Sequence, residues 1–300
     1  LMSLGVRTST KRSLRQALIR YIQEAPVAAR ALCTPHIGWY ENHFVLPDAV
    51  IPETQELCLQ RDLELVPGFY SRGTLHDWKE QVAAPAGAHP HLILALCSAF
   101  TAPLLPLLNA PNFGLHFAEP RSNGQPLAVT LAASVWGEAS RTQPWEAQAT
   151  KRHRKPRPFE HQNGLLCLDR LSADHEIQLK TALTHLSDSL SPSYLLISSG
   201  EPMLHSLLPN PLESYLLDMP PCEDADHDKP QSPEALQAKA ATWRAIEAAT
   251  QQHYGIAIRE FLLNVQPHQD SVREQMQLTI DAFKQRCEPI TINPRDPLPD

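Results

Sequence analysis

Hydrophobic positions along the chain change period several times, and each change predicts an element. Leu14, Leu18, Tyr21 and Ile22 recur at helical spacing within Ser9 to Glu24, with Lys11, Arg12, Arg15 and Arg20 mostly off that face. Pro26 ends this helix. The stretch A-L-C-T-P-H-I-G-W-Y-E-N-H-F-V-L-P-D then reads as two short strands around a polar turn at Glu41-Asn42. Thr74 is placed to N-cap the helix T-L-H-D-W-K-E-Q-V-A, with Asp77 at N3 complementing the helix start. Leu92 to Leu108 is apolar enough for a buried helix that Pro103 and Pro106 bend or end.

Past Pro111 the pattern shifts to short continuous apolar runs. G-L-H-F-A predicts a strand, and Leu127 to Trp136 a helix after a Gly-containing turn. G-L-L-C-L-D (Gly164 to Asp169) predicts a second strand, Ile177 to Leu186 a helix, and Y-L-L-I-S-S (Tyr194 to Ser199) a third strand. Runs of this kind alternating with helices predict a parallel sheet covered on both faces. Met219 to Ser232 is acidic and proline-rich and reads as a surface loop. Ser232-Pro233-Glu234 opens a helix to about His253. A last helix runs from about Asp270 to Cys287, with Val272, Met276, Ile280 and Phe283 on one face, followed by a proline-rich tail.

The expected fold class is therefore α/β, with an N-terminal mixed α/β portion (1–110), a parallel-sheet core (111–217), the acidic loop (218–232) and a helical C-terminal portion (233–300). No internal repeat is present.

Composition narrows the class. Hydrophobic residues make up 42% and charged residues 20%, which permits a packed core, while a net charge of −7 argues against a globally polyanion-binding surface. The six cysteines form no C-x-x-C pair, and those in apolar segments, such as Cys97 and Cys167, read as small buried hydrophobes. A disulfide framework is not expected, and the reducing cytoplasm is the expected compartment. The start L-M-S-L-G-V-R lacks the apolar core of a signal peptide, and Leu92 to Leu108 is too short and broken to span a bilayer, so no membrane partner is expected.

Candidate chemistry centres on F-A-E-P-R-S-N-G-Q-P, Phe117 to Pro126. A working phosphate loop, G-x-x-x-x-G-K-[ST], wraps phosphates in backbone N–H groups, reaches them with Lys and binds Mg²⁺ through its hydroxyl. On that frame only Gly124 survives. Glu119 stands for the first glycine, Gln125 for the lysine and Pro126 for the hydroxyl. By local pattern alone this is an ordinary strand–turn–helix connection.

Seven separated segments place it in a wider context: G-W-Y-E-N-H-F-V-L-P-D, G-T-L-H-D-W-K-E-Q-V-A, A-L-C-S-A-F-T-A-P-L-L-P-L-L, L-A-A-S-V-W-G, H-Q-N-G-L-L-C-L-D-R-L, L-L-I-S-S-G-E and H-Y-G-I-A-I-R-E-F-L. In order and spacing they resemble the family known as domain of unknown function 927, over roughly Gly38 to Leu262. Members are P-loop ATPase-like, helicase-like proteins of phages, plasmids and integrative elements, often joined to primase modules.

The resemblance implies a P-loop NTPase-like core and puts Phe117 to Pro126 where the family carries G-P-S-S-T-G-K-T. It makes L-L-C-L-D-R the second nucleotide motif, keeping Asp169 and placing Arg170 where a catalytic glutamate stands; a guanidinium accepts no proton. It places Tyr215 where an arginine precedes L-L-D-M-P, and Ser198 and Ser199 at a sensor position. No catalytic residue and no cofactor is then expected, ATP with Mg²⁺ being the ligand a residual site would take. The implied function is a catalytically degenerate helicase-like or ATPase-like protein of a mobile element, a pseudo-ATPase acting by binding. Its implied partners are DNA, replication or mobile-element proteins, and further copies of the chain. The alternatives are a structural adaptor without nucleic-acid binding, or a residual nucleotide-binding protein.

K-R-H-R-K-P-R supplies a second candidate. Lys151, Arg152, Arg154, Lys155 and Arg157 carry no intervening acid, and read either as a phosphate-backbone contact or as a solvated charge run. The fourteen histidines show no metal-ligand spacing, D-A-D-H-D lacks the glycine and closing glutamate of a calcium loop, and no G-x-S-x-G elbow exists, so no metal site or hydrolase centre is expected. Trp39, Trp78 and Trp136 read as core or interface residues.

Overall fold

The computed structural model describes residues 11–26, 30–60, 69–118, 127–138, 162–171, 193–200, 216–219 and 233–287. Helix α1 (Arg12–Glu24) ends just before Pro26, as its periodicity predicts, yet buries none of its residues. Leu14, Tyr21 and Ile22 lie exposed. Spacing dictates which residues share a helix face, not whether another element covers that face.

Five short strands follow: β1 (Leu32–Thr34), β2 (Gly38–Tyr40), β3 (His43–Val45), β4 (Val50–Ile51) and β5 (Leu57–Leu59). The expected hairpin is β2–β3, turning at Glu41 with φ +51°, and β4 extends it into an antiparallel meander. Strands β1 and β5 pair in parallel as a separate two-stranded sheet. Strands this short show no alternation of their own, and β1, β4 and β5 lack the flanking polar turn that marks the β2–β3 hairpin.

Thr74 caps α2 (Leu75–Trp78) as expected: its hydroxyl accepts from the Asp77 N–H at 3.1 Å and donates to Asp77 Oδ2 at 2.6 Å. The helical path continues through a π-turn (Lys79–Ala83) into α3 (Ala84–Ala86). The apolar run after it is not one helix to Leu108. It forms α4 (Pro90–Thr101) and then two 3₁₀ turns, Ala102–Leu104 and Pro106–Leu108, each carrying a proline without an N–H to continue the α ladder. Leu92, Ala95, Leu96 and Ala99 face the core, which turns Cys97 outward. Cys97 is thus exposed and not the buried hydrophobe its apolar neighbours suggest.

The chain then builds β6 (Phe113–Ala118), α5 (Leu127–Trp136), β7 (Leu165–Leu171), β8 (Leu195–Gly200) and β9 (Leu216–Met219). These four strands are all parallel, in the order β7-β8-β6-β9. The three expected strands are present; β9 was missed because four residues ahead of a proline carry no periodic signal. Helix α5 is buried nearly all round, with Leu131, Ala132, Ser134 and Val135 fully enclosed, which explains why its sequence lacks a polar stripe. It packs on β7 and β8, and α4 packs on both α5 and β8.

Helix α6 (Pro233–Thr250) opens where expected. Helix α7 (Ile256–Val265) follows Gly255, whose φ of +70° and close approach to the Tyr70 carbonyl leave no room for a Cβ. Arg259 on α7 pairs with Asp48 at 2.8 Å and donates to the Phe69 carbonyl, also at 2.8 Å. On α8 (Gln269–Arg286), Val272 and Met276 pack against Leu104, Leu107 and Val265, while Phe283 on the predicted apolar face is exposed.

One continuous apolar core runs through residues from Ile37 to Leu262, so the hairpin, the parallel sheet and α7 share an interior. Trp136 sits at this junction. Its ring meets Phe44 and Phe69, and its Nε1 donates to the Ala99 carbonyl at 2.9 Å. Trp78 is likewise buried, and half-buried Trp39 donates to the Pro103 carbonyl, in keeping with core roles for all three tryptophans. No helix among the described residues is long and apolar enough to cross a membrane. The expected helix Ile177–Leu186, Tyr215, the acidic segment from 220 to 232 and the tail from 288 lie outside the described residues.

Candidate functional site at the carboxyl end of the parallel sheet

Strand order dictates where a ligand would sit. From β6 the chain passes over β8 to reach β7, returns to β8, then passes over β6 to reach β9. Connections leaving β6 and β8 thus head in opposite directions, and the carboxyl ends of strands where this happens are the usual ligand position in open parallel sheets. Phe117 of β6 stands beside Ser199 of β8, and Ala118 beside Gly200. The connection 119–126 springs from Ala118 at this edge and re-enters at Leu127, the first residue of α5, both anchors being buried.

Two predicted site residues meet here. Asp169 near the end of β7 is 4% exposed, and Ser199 Oγ donates to its carboxylate at 3.3 Å. The pairing between β7 and β8 explains the approach. Leu168 faces Ser198 and Leu171 faces Gly200, so β7 carries one extra residue, at Asp169-Arg170, against Ser199 alone. Such a bulge bends a strand and re-aims its side chains, and bulges recur beside functional sites. Asp169 is itself close enough to act on its neighbour: burial first, and then this carboxylate, raises the Cys167 thiol well above its ordinary value.

Gly200 makes the bulge possible. A Cβ there would collide with the Leu171 backbone. Gly200→Ala is expected to push β7 off β8 and cost about 1–3 kcal/mol, read as a lower urea midpoint at unchanged slope. An unchanged midpoint would mean that the strands separate without penalty.

Ser198, the other sensor-position serine, has a different setting. Successive strand residues point to opposite faces, and Ser198 Oγ lies 3.0 Å from His116 Nδ1 and donates to the Leu115 carbonyl at 3.4 Å. His116 and Ser198 are fully buried. Their register as direct neighbours on β6 and β8 joins two polar residues across the sheet interior. Sequence reading missed His116, whose only signal was a polar residue inside the apolar run F-G-L-H-F-A.

Arg170 lies in β7 next to Asp169 along the chain. Glu119, Gly124, Gln125 and Pro126, and the basic run Lys151, Arg152, Arg154, Lys155 and Arg157, lie outside the described residues. Among the described residues no three His, Cys, Asp or Glu side chains stand together as a metal cluster.

Comparison with known proteins agrees with the mixed α/β architecture. The SCCmec type IV helicase Cch, described as an active helicase, superposes with a TM-score of 0.67 at 16% identity, covering 94% of this chain and 55% of its own. The chain therefore spans about half the length of that protein, and at this identity the likeness is one of fold. The apo A form of the NrS-1 C-terminal region aligns over 85% of this chain and 66% of its own, at 10% identity and a TM-score of 0.33, too low to bear on the fold. No curated protein matches by sequence. The profile described as Domain of unknown function (DUF927) matches residues 1–184, more than half of the chain, and the chain belongs to that family.

Proposed function

We propose that this chain is a catalytically degenerate helicase-like protein of a mobile element, built on a P-loop-type core from Pro111 to about Leu217, that binds DNA or a protein partner without hydrolysing ATP. The observation carrying this reading is the placement of Asp169 beside Ser199 at the sheet edge from which the 119–126 connection departs. With β8 inserted between β6 and β7, a carboxylate that could bind a metal and a polar sensor would serve one phosphate position, which supports this reading. The fold likeness to an active helicase of a mobile element supports the same reading.

The side chains available at that position do not fit a catalytic Mg-ATP complex. Asp169 is the single carboxylate of the second motif, its chain neighbour is the cation Arg170, and the connection supplies Gln125 and Pro126 in place of the lysine and hydroxyl. On the family frame, Glu119 would bring a negative charge to the phosphate position. On this reading the surface carries the function. The run from Lys151 to Arg157 lies in the connection between α5 and β7 and is the basic segment suited to nucleic-acid phosphates.

Titration of the protein with single- and double-stranded DNA over a range of salt tests this function. Replacing Lys151, Arg152, Arg154, Lys155 and Arg157 by Ala is expected to flatten the logarithmic salt dependence for duplex by up to about 4.5. Binding with an unchanged slope would remove the run from the interface. Absence of any DNA binding would leave the protein-adaptor reading.

A further inference from the structure

Cys33 and Cys58 form a thiol pair that the sequence, in which they stand 25 positions apart, does not reveal. They are register partners in the parallel β1–β5 sheet, so both side chains leave the same face from directly opposed positions. Their sulfurs lie 3.4 Å apart and share a hydrogen bond. The backbone brackets them on either side: Leu32 N–H donates to the Glu56 carbonyl at 2.7 Å and Gln60 N–H to the Thr34 carbonyl at 2.8 Å. Adjacent strands run about 4.8 Å apart, inside the Cα separation of roughly 4.4–6.8 Å that a disulfide accepts. Closing the sulfurs to about 2.05 Å asks for side-chain rotation and no movement of either strand.

Access favours one direction of attack. Cys33 is exposed and Cys58 half-buried. Cys58 also lines a cleft of about 620 Å³ beside α7, with Asp48, Glu53 and Leu263. The hydrogen bond with Cys33 raises the Cys58 thiol above its ordinary value, which suits it to the second, resolving position.

We propose that Cys33 and Cys58 are a reversible dithiol–disulfide site that exchanges with low-molecular-weight disulfides. The Cys33 thiolate attacks one sulfur of the small disulfide, forming a mixed disulfide and expelling one small thiolate. Cys58 then loses its proton to solvent and attacks the Cys33 sulfur, expelling the second thiolate and closing the ring. Two protein thiols are oxidised by two electrons, and one small disulfide is reduced to two thiols.

The test is to reduce the full chain, remove the reductant, add glutathione disulfide and alkylate under denaturing conditions. A protein lighter by about 2 Da before alkylation, two fewer alkylatable thiols and a Cys33–Cys58 linked peptide are expected, all reversed by dithiothreitol. Cys58→Ser should instead trap a stable glutathione adduct at Cys33, heavier by about 305 Da. Three results would each overturn the site: both thiols remaining alkylatable, a stable adduct on Cys33 in the unmutated chain, or a bond formed instead through exposed Cys97 or Cys287.

Discussion

Mg-ATP is expected to be turned over by the purified protein no faster than by its Asp169→Ala variant. Loss of one electrostatic contact to a transition state costs on the order of a hundredfold in rate, and loss of an arginine finger roughly a thousandfold. On the proposed reading, Gln125 stands for the loop lysine, Pro126 for the metal hydroxyl, Arg170 for the catalytic carboxylate and Tyr215 for the arginine. Even with incomplete additivity, the product of such losses would fall below contaminant activity. Reversion separates binding from chemistry. Glu119→Gly with Gln125→Lys and Pro126→Thr is expected to restore ATP binding in a calorimeter without turnover, since Arg170 still accepts no proton. Adding Arg170→Glu is expected to bring measurable hydrolysis. Turnover by the unaltered protein that vanishes in Asp169→Ala would sink the pseudo-ATPase reading outright.

Trp136→Ala should be the most damaging single truncation in the interior, lowering stability by about 3–5 kcal/mol. The indole fills the junction where the β2–β3 hairpin, α4 and the end of α5 meet. Its loss removes the contacts with Phe44 and Phe69 and leaves the Ala99 carbonyl without that donor. Because these partners belong to one continuous core, the loss should register as one cooperative transition moved to lower urea, not as early release of the hairpin. Phe283→Ala provides the contrast. That ring is 66% exposed, and its truncation is expected to fall within about 0.5 kcal/mol. A biphasic transition in Trp136→Ala would show that the N-terminal strands and the parallel sheet unfold separately.

Local pattern foretold much of this chain, and its limits have physical causes. Capping and periodicity act over three or four residues, which is why Thr74-Asp77, the extent of α5 and the start of α6 match their sequence signals. Proline chemistry is equally local, and the prolines at 103 and 106 end α4 as their missing N–H groups require.

Packing decided the rest. Amphipathic spacing drew α1 correctly but could not say that its apolar face lies open, and the run around Cys97 could not say which way one thiol turns. Strand order, the extra residue in β7 and the bond from Ser199 to Asp169 arise from backbone pairing between segments some 30 residues apart. The same holds for Cys33 with Cys58 and for buried His116 with Ser198. Residue order along a chain records which neighbours are bonded, while such contacts depend on where whole strands come to rest once the apolar core has closed around them.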